Sequence, residues 1–302
     1  MSSPLHGWII LEKPVGLGST QAVGAVKRIL REAGEPKTKV GHGGTLDPLA
    51  SGVLPIALGE ATKLAGRMLE ATKQYEFTVR FGEETDTLDG EGVVVETSLH
   101  RPTREEVEAV LPRFTGLIEQ VPPAYSALKI GGKPAYERSR AGEQVEMKAR
   151  TVTVYELRVL ASSSDEATFT ATVSKGTYIR SLARDIARAL ETVGHVTMLR
   201  RTRAGPFGLE KAISLDFLNE AVKARQFDGA VLPLRAALDD IPALPVTPGQ
   251  AQLLRYGQKL AGFPVAPGLQ LATDDDRPVA LVEASADGLR VVRGFNILET
   301  GV

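Results

Sequence analysis

The spacing of apolar residues changes period along the chain, and each change marks an element. "HGWIILEKP" is an apolar run closed by Pro14 and Gly16, the pattern of a strand entering a turn. Val23, Val26, Ile29 and Leu30 then recur at helical spacing; Ser19 or Thr20 can cap that helix, and Gly34 ends it. Ala61 to Glu70 reads as a short helix. Tyr75, Phe77, Val79 and Phe81 alternate with other residues, which is the period of a strand. "GVVVET" can pair with that strand across the turn-rich "EETDTLDGE". Thr103 with Glu106 gives a capping box for a helix ending near Leu111.

Further on, Val152 to Leu160 and Ala167 to Val173 read as two strands. Leu182, Ile186, Ala189 and Leu190 share one helical face, and Arg180, Arg184 and Arg188 share another. "HVTMLRRT" is a further strand. Helices and strands mix without a regular alternation, so an α+β fold is favoured over a doubly wound one. The proline-rich "LPLRAALDDIPALPVTPGQ" reads as a domain boundary, dividing 1–240 from a small β domain at 241–302.

Composition narrows the function classes. The chain has 302 residues, 43% apolar and 24% charged, which are globular values. It has no cysteine, which excludes disulfides, thiolate metal sites and a Cys nucleophile. The N-terminal "WII" is too short for a signal peptide and has no basic leader, and no apolar run approaches a membrane span. A soluble, cytoplasmic protein is expected. Net charge is −1, yet the cations are clustered. Seven Lys or Arg face two acids between Ser174 and Arg203, and six face three acids between 124 and 150. Such patches can bind phosphates on a neutral protein, although solvated surface is the commoner meaning of charge alone.

The segment "GHGGTLDPLASG", Gly41 to Gly52, is the first candidate for chemistry. Gly43 and Gly44 lack Cβ atoms, so a substrate or a second backbone can come close. Pro48 fixes its own φ and keeps Asp47 out of helical geometry. Taken alone, most Asp-Pro dipeptides are simple turns. The segment is not a P-loop, because no Gly-Lys-Ser/Thr follows, and "GHGGTL" breaks the dinucleotide fingerprint at its last glycine. His42 has no second histidine at a ligand spacing. "DTLDGEG" lacks the acids of a calcium loop and reads as a turn.

The second candidate is "SKGTYIR". Tyr178 and Arg180 lie two apart, on one face of an extended segment. Arg180 stands at the start of a helix, a poor place for a cation in dipole terms, so a carboxylate or phosphate partner is expected. A guanidinium beside a part-buried Asp favours its charged form and aims it. Surface arginine is the competing reading, and strand core the competing reading for Tyr75.

"LEKPVGLGS", "GHGGTLDPLASGVLPIALGEATK", "YEFTVRFGEETDTLDGEG", "AYSALKIGGKPAYERSRAG", "SKGTYIRSLARDI" and "HVTMLRRTRAGPF" occur in this order. Together they resemble the bacterial tRNA pseudouridine synthase B (TruB) family over essentially the whole chain. The resemblance implies a mixed, largely antiparallel catalytic sheet with a small C-terminal PUA-like domain. It implies isomerisation of uridine-55 in the T loop of tRNA, by base flipping, with an essential aspartate and no cofactor or metal. Residue by residue, Asp47 matches the catalytic aspartate, Tyr75 the tyrosine packed on the target base, and Arg180 the arginine paired with the aspartate. Asp89 matches a second acid of that network, and His42 the histidine that fills the space left by the flipped base. Tyr178 and Leu199 match pocket-lining positions, and Lys13 with Pro14 a supporting motif. The excursion at 124–150, with Lys129 and Arg138, matches a loop that clamps the RNA stem-loop. The implied partner is the T arm of tRNA, bound by a monomer.

Two other readings compete. A non-catalytic RNA-binding protein would use the same basic patches. A glycoside hydrolase using Asp47 and Asp89 as its acid pair would want a larger aromatic platform than one Trp and 5% aromatic residues.

Overall fold

The computed structural model describes residues 4–126, 128–141, 143, 146–263 and 265–297, and for Lys129, Ile130, Pro134, Tyr136, Ser139 and Arg140 the backbone alone. The chain opens with strand β1 (Gly7–Lys13) and helix α1 (Ser19–Glu32), then β2 (Val40–His42) and β3 (Ser51–Leu58). A 3-10 turn leads into α2 (Ala65–Glu70), β4 (Lys73–Phe81) and a small hairpin of β5 (Glu83–Thr85) and β6 (Val94–Thr97). Next come α3 (Arg104–Val110), β7 (Gly116–Gln120), the short β8 (Lys129–Ile130) and β9 (Lys133–Pro134), and α4 (Ala135–Arg140). Then follow β10 (Arg150–Ser162), β11 (Glu166–Val173), α5 (Ile179–Ala189), β12 (Gly194–Ala204), β13 (Phe207–Gly208) and α6 (Leu215–Lys223). The C-terminal part holds β14 (Ala243–Pro245), α7 (Pro248–Arg255), β15 (Gly268–Asp274), β16 (Arg277–Ser285) and β17 (Gly288–Gly294).

Nine of these strands, among the described residues, form one sheet in the order β1-β3-β12-β4-β11-β10-β7, with β2 on β3 and β13 on β12. The β3–β12 pairing is parallel and the other ladders are antiparallel. This is the α+β, largely antiparallel architecture expected from the sequence. A second sheet, β14-β15-β16-β17, forms the C-terminal strand domain.

Strand β1 shows why its sequence is an unbroken apolar run. Ile9 and Leu11 face one core with α1, α5 and α6, whereas Trp8 and Ile10 face another with Leu234, Leu271, Leu281 and Phe295. The second core joins the two sheets. The Trp8 indole N–H donates to Leu234 O at 3.2 Å, so its one polar atom is satisfied where it is buried. Trp8→Ala would cost about 3–5 kcal/mol by opening a cavity between the sheets. Among the described residues no helix is long and apolar enough to cross a membrane.

Three local expectations are corrected. "GVVVET" pairs with β5 rather than with the longer β4, because both edges of β4 are already taken by β11 and β12. Ser19 does not cap α1. Gly18 is the N-cap, its N–H satisfied by Gln21 Oε1 at 2.8 Å, and Ser19 turns inward. The arginines of α5 do not form a free face. Arg180 is buried, Arg184 bonds Asp185 and Val121 O, and Arg188 pairs with Glu84.

Candidate active site

Asp47 lies in the connection from β2 to β3, and several side chains hold that connection from behind. The hydroxyl of Ser19 donates to Leu46 O and accepts from Leu46 N, both at 2.8 Å. The ammonium of Lys13, fully buried, donates to Leu17 O at 2.6 Å, Pro14 O at 2.8 Å and Pro48 O at 3.2 Å. The Arg201 guanidinium donates to Val53 O at 2.7 Å, and to Thr45 O and Gly44 O at 3.2 Å each. The guanidinium thus meets two carbonyls of the loop and one at the start of β3. Burial pushes the Lys13 ammonium down to about 8, with Asp47 pulling the other way and Arg201 adding to the fall.

The glycines divide their work differently from expectation. A Cβ on Gly43 would stand 2.6 Å from the Met68 Cβ, so this glycine serves packing against α2 and not substrate approach. A Cβ on Gly52 would stand 2.2 Å from Arg201 O, which lets β3 lie against β12. Gly44, at φ 136°, lines the cavity in front of Asp47.

Arg180 comes from the first turn of α5 and reaches two carboxylates. Its Nη2 lies 3.0 Å from Asp47 Oδ2 and its Nη1 lies 3.1 Å from Asp89 Oδ2. It also donates to Thr87 O at 2.9 Å and Tyr125 O at 3.0 Å. The Arg180 and Asp89 side chains are 6% and 4% exposed, whereas Asp47 is 32% exposed, so one carboxylate anchors the arginine and the other remains reachable. Asp89 is itself fixed: its Oδ1 accepts from Thr87 Oγ1 at 2.6 Å and from Glu91 N at 3.1 Å. Leu88, left-handed at φ 63°, turns this segment so that residues 88 and 90 bond Val196 on β12.

A cavity of about 320 Å³ opens in front of Asp47. Tyr75, Tyr178, Arg180 and Leu199 line it together with Asp47. Tyr75 arrives on β4 at the register position opposite Arg201 and Ala171, in the middle of the sheet. Tyr178 is the N-cap of α5, with the extended backbone expected of it, and the Arg150 guanidinium stacks 4.7 Å from its ring centre. Lys73 stands two residues before Tyr75, on the same face of β4. Its ammonium donates to Met68 O, Leu69 O and Ala71 O at 2.8, 2.6 and 2.6 Å. Burial, followed by the nearby Arg201, pushes Lys73 down to about 8.

Other expected site residues lie apart. Asp89 and Lys13 stand behind the cavity and act on it through Arg180 and the loop. His42 ends β2 opposite Ile56 and does not line the cavity. Burial lowers its pKa, and the Arg201 charge adds to this, so its ring is held neutral. Arg138 is paired with Glu143 at 2.6 Å. Lys129 begins β8, and its side chain lies outside the described residues. Much of the dense cation tract from Ser174 to Arg203 is neutralised in place. Lys175 pairs with Glu70 and Arg200 with Glu12, beside the pairs of Arg180, Arg184 and Arg188 already described.

The chain as a whole matches known proteins. A family profile described as TruB family pseudouridylate synthase (N terminal domain) matches residues 27–179. One described as tRNA pseudouridylate synthase B C-terminal domain matches residues 180–239. The chain belongs to the TruB family. It is 61% identical to the tRNA pseudouridine synthase B of Zymomonas mobilis, over 97% of this chain and 96% of that one. It is 59% identical to the protein of the same name from Novosphingobium aromaticivorans, over 97% and 98%. Among solved structures it is similar to an H/ACA RNP bound to a substrate RNA containing 2′-deoxyuridine, with a TM-score of 0.74, 27% identity, and coverage of 97% and 86%. A Cbf5-Nop10-Gar1 complex matches with a TM-score of 0.73, 29% identity, and coverage of 95% and 84%.

The TruB site holds side chains that sequence reasoning passed over. Gln120, the last residue of β7, donates from its amide to Tyr178 O at 3.1 Å and accepts from Tyr178 N at 2.8 Å. Ser181 and Arg184 add bonds to Val121 O at 2.8 and 3.1 Å, so the end of β7 fixes the start of α5. Nothing in the sequence around Gln120 signals this. For Arg201 and Lys73 a signal existed. They stand two residues from Leu199 and Tyr75, on the same strand faces, and both are buried.

Proposed function

We propose that this enzyme isomerises uridine-55 in the T loop of tRNA to pseudouridine, with Asp47 as the acting group. The observation that carries the reading is the Asp47–Arg180–Asp89 arrangement: a reachable carboxylate held by a buried arginine that a second, buried carboxylate anchors. The reaction breaks the N1–C1′ bond, turns the base and joins C5 to C1′. No atom enters or leaves, so its balance asks for no co-reactant. The target base leaves its stack to enter the cavity, because a stacked base cannot bring its glycosidic bond up to Asp47.

Asp47 serves either as nucleophile on the ribose or the base, or as acceptor of a sugar proton. All these routes need it charged and aimed, and Arg180 supplies both from a preorganised position. Tyr75 stacks on the uracil, a contact worth about 1–3 kcal/mol, with its hydroxyl placed to relay a proton near C5. Tyr178 and Leu199 shape the wall, and neutral His42 fills space behind the loop. We read 1–240 as the catalytic unit, with residues 124–150 clamping the stem-loop through Lys129 and Arg138. We read 241–302 as a PUA-like RNA-binding module. We expect a cytoplasmic monomer.

The test is incubation of unmodified tRNA with the protein, followed by carbodiimide adduct mapping. A stable adduct at position 55 is expected. No adduct would contradict the reading, and release of free uracil would point to glycoside hydrolysis instead.

A further inference from the structure

Many cations near the catalytic loop are spent on carboxylates or carbonyls of the protein itself. Helix α1 differs. A groove of about 1640 Å³ runs between α1 and the connection from Ala33 to Lys39, lined by Lys27, Arg28, Arg31, Lys37, Lys39 and the single acid Glu35. All five cations are exposed, and none of them makes an ion pair or side-chain hydrogen bond with a described residue. Helix stability explains only part of this cluster. Arg31, in the last turn of α1, complements the helix dipole, but Lys37 and Lys39 lie beyond the helix and gain nothing from it. Five like charges crowded along one groove repel one another and disfavour the folded chain unless an anion meets them.

The groove also joins the catalytic loop. Gly16 and Leu17 form its near end. Gly16 N donates to Pro48 O at 2.8 Å, and Leu17 O accepts from Lys13, whose ammonium also holds Pro48. The backbone at the mouth of the groove is therefore bonded to the residue after Asp47. Helix α1, at 14 residues, is about 21 Å long, enough to follow several nucleotides of one strand.

We propose that this groove binds the phosphodiester backbone of the RNA substrate outside the target loop, as a second track distinct from the 124–150 segment. The proposal rests on the reading of the protein as an RNA-modifying enzyme. Exposed cations with no aromatic residue among them suit phosphates and not bases, so the track adds affinity without reading sequence.

The experiment compares wild-type protein with the variant Lys27→Ala/Arg28→Ala/Arg31→Ala/Lys37→Ala. Binding of whole unmodified tRNA is measured across a series of salt concentrations, with circular dichroism confirming that the variant is folded. Each phosphate contact contributes about 0.7–0.9 to the slope of log affinity against log salt. The variant is expected to bind more weakly and to lose up to about 2.8–3.6 units of that slope, the share of four contacts. An unchanged slope overturns the proposal, whether or not affinity falls. An unchanged tRNA slope with a salt-sensitive loss of binding to polyglutamate would assign the groove to an acidic protein and overturns it equally. Pseudouridine formation by the wild type is read in the same tRNA. Its absence would defeat the functional reading, and the binding slope would still judge the groove.

Discussion

Arg180 and Asp89 form a buried pair, 3.1 Å apart and 6% and 4% exposed, on which the reachable pair of Arg180 with Asp47 depends. A buried charge whose partner is removed costs about 3–5 kcal/mol. Asp89→Asn is therefore expected to lower the urea midpoint of unfolding and to reduce kcat, because Arg180 loses its anchor. Asp47→Asn, at the exposed end, is expected to leave the free energy of unfolding within about 1 kcal/mol of wild type. Equal losses of stability in the two variants would contradict this division of roles.

Gln120 acts at one further remove, by holding both backbone polar groups of Tyr178. Gln120→Leu leaves the Tyr178 N–H unmet, while Tyr178 O keeps its bond from Leu182 N, and loosens the start of α5. A displacement of about 1 Å in a catalytic group can cost about 10²-fold in rate. The expected result is a kcat lowered by one to two orders of magnitude with KM for tRNA little changed. A rise in KM at constant kcat would show that Gln120 serves binding instead.

This residue also marks the limit of the sequence. The strands and helices with clean apolar periods, such as β4 with Phe77 and Phe81 or α5 with Leu182 and Ile186, were legible because burial on one face writes a period into the chain. The Asp47 loop and Arg180 were legible through motif order, and Arg180 also through its unfavourable place at a helix start. The pairing of β6 was not, because four exposed residues carry no register information. The fate of the cations was not legible either, since ion pairs such as Arg188–Glu84 join residues far apart in sequence. Gln120 is polar, and its two bonds are set entirely by the packing of β7 against α5.

Lys13 and Lys73 titrate in the folded protein near 8, and in the unfolded chain near about 10.4. Between these values the unfolded state binds more protons, so the free energy of unfolding contributed by these groups rises with pH. Below about 8 both lysines are charged in either state and the cost of burying them is borne in full. Urea titrations from pH 8 to pH 10 are expected to show a less positive slope in Lys13→Met than in wild type, by at most about 1.4 kcal/mol per pH unit. Identical slopes would place the Lys13 titration elsewhere.

Gly43→Ala puts a methyl group 2.6 Å from the Met68 Cβ, where both partners are near the backbone and neither can swing aside. A loss of about 1–3 kcal/mol is expected from this overpacking. Thermal denaturation checks it; a Tm equal to that of wild type would mean that α2 moves freely against the loop.

The central claim is that the Asp47 carboxylate performs the chemistry while the rest of the site binds and aims. Its most direct test is single-turnover pseudouridine formation in unmodified tRNA by Asp47→Asn, with tRNA affinity measured on the same preparation. The account predicts no detectable pseudouridine at position 55 and an affinity close to that of wild type. Measurable turnover by the Asn variant, at any rate that rises with enzyme concentration, would contradict it.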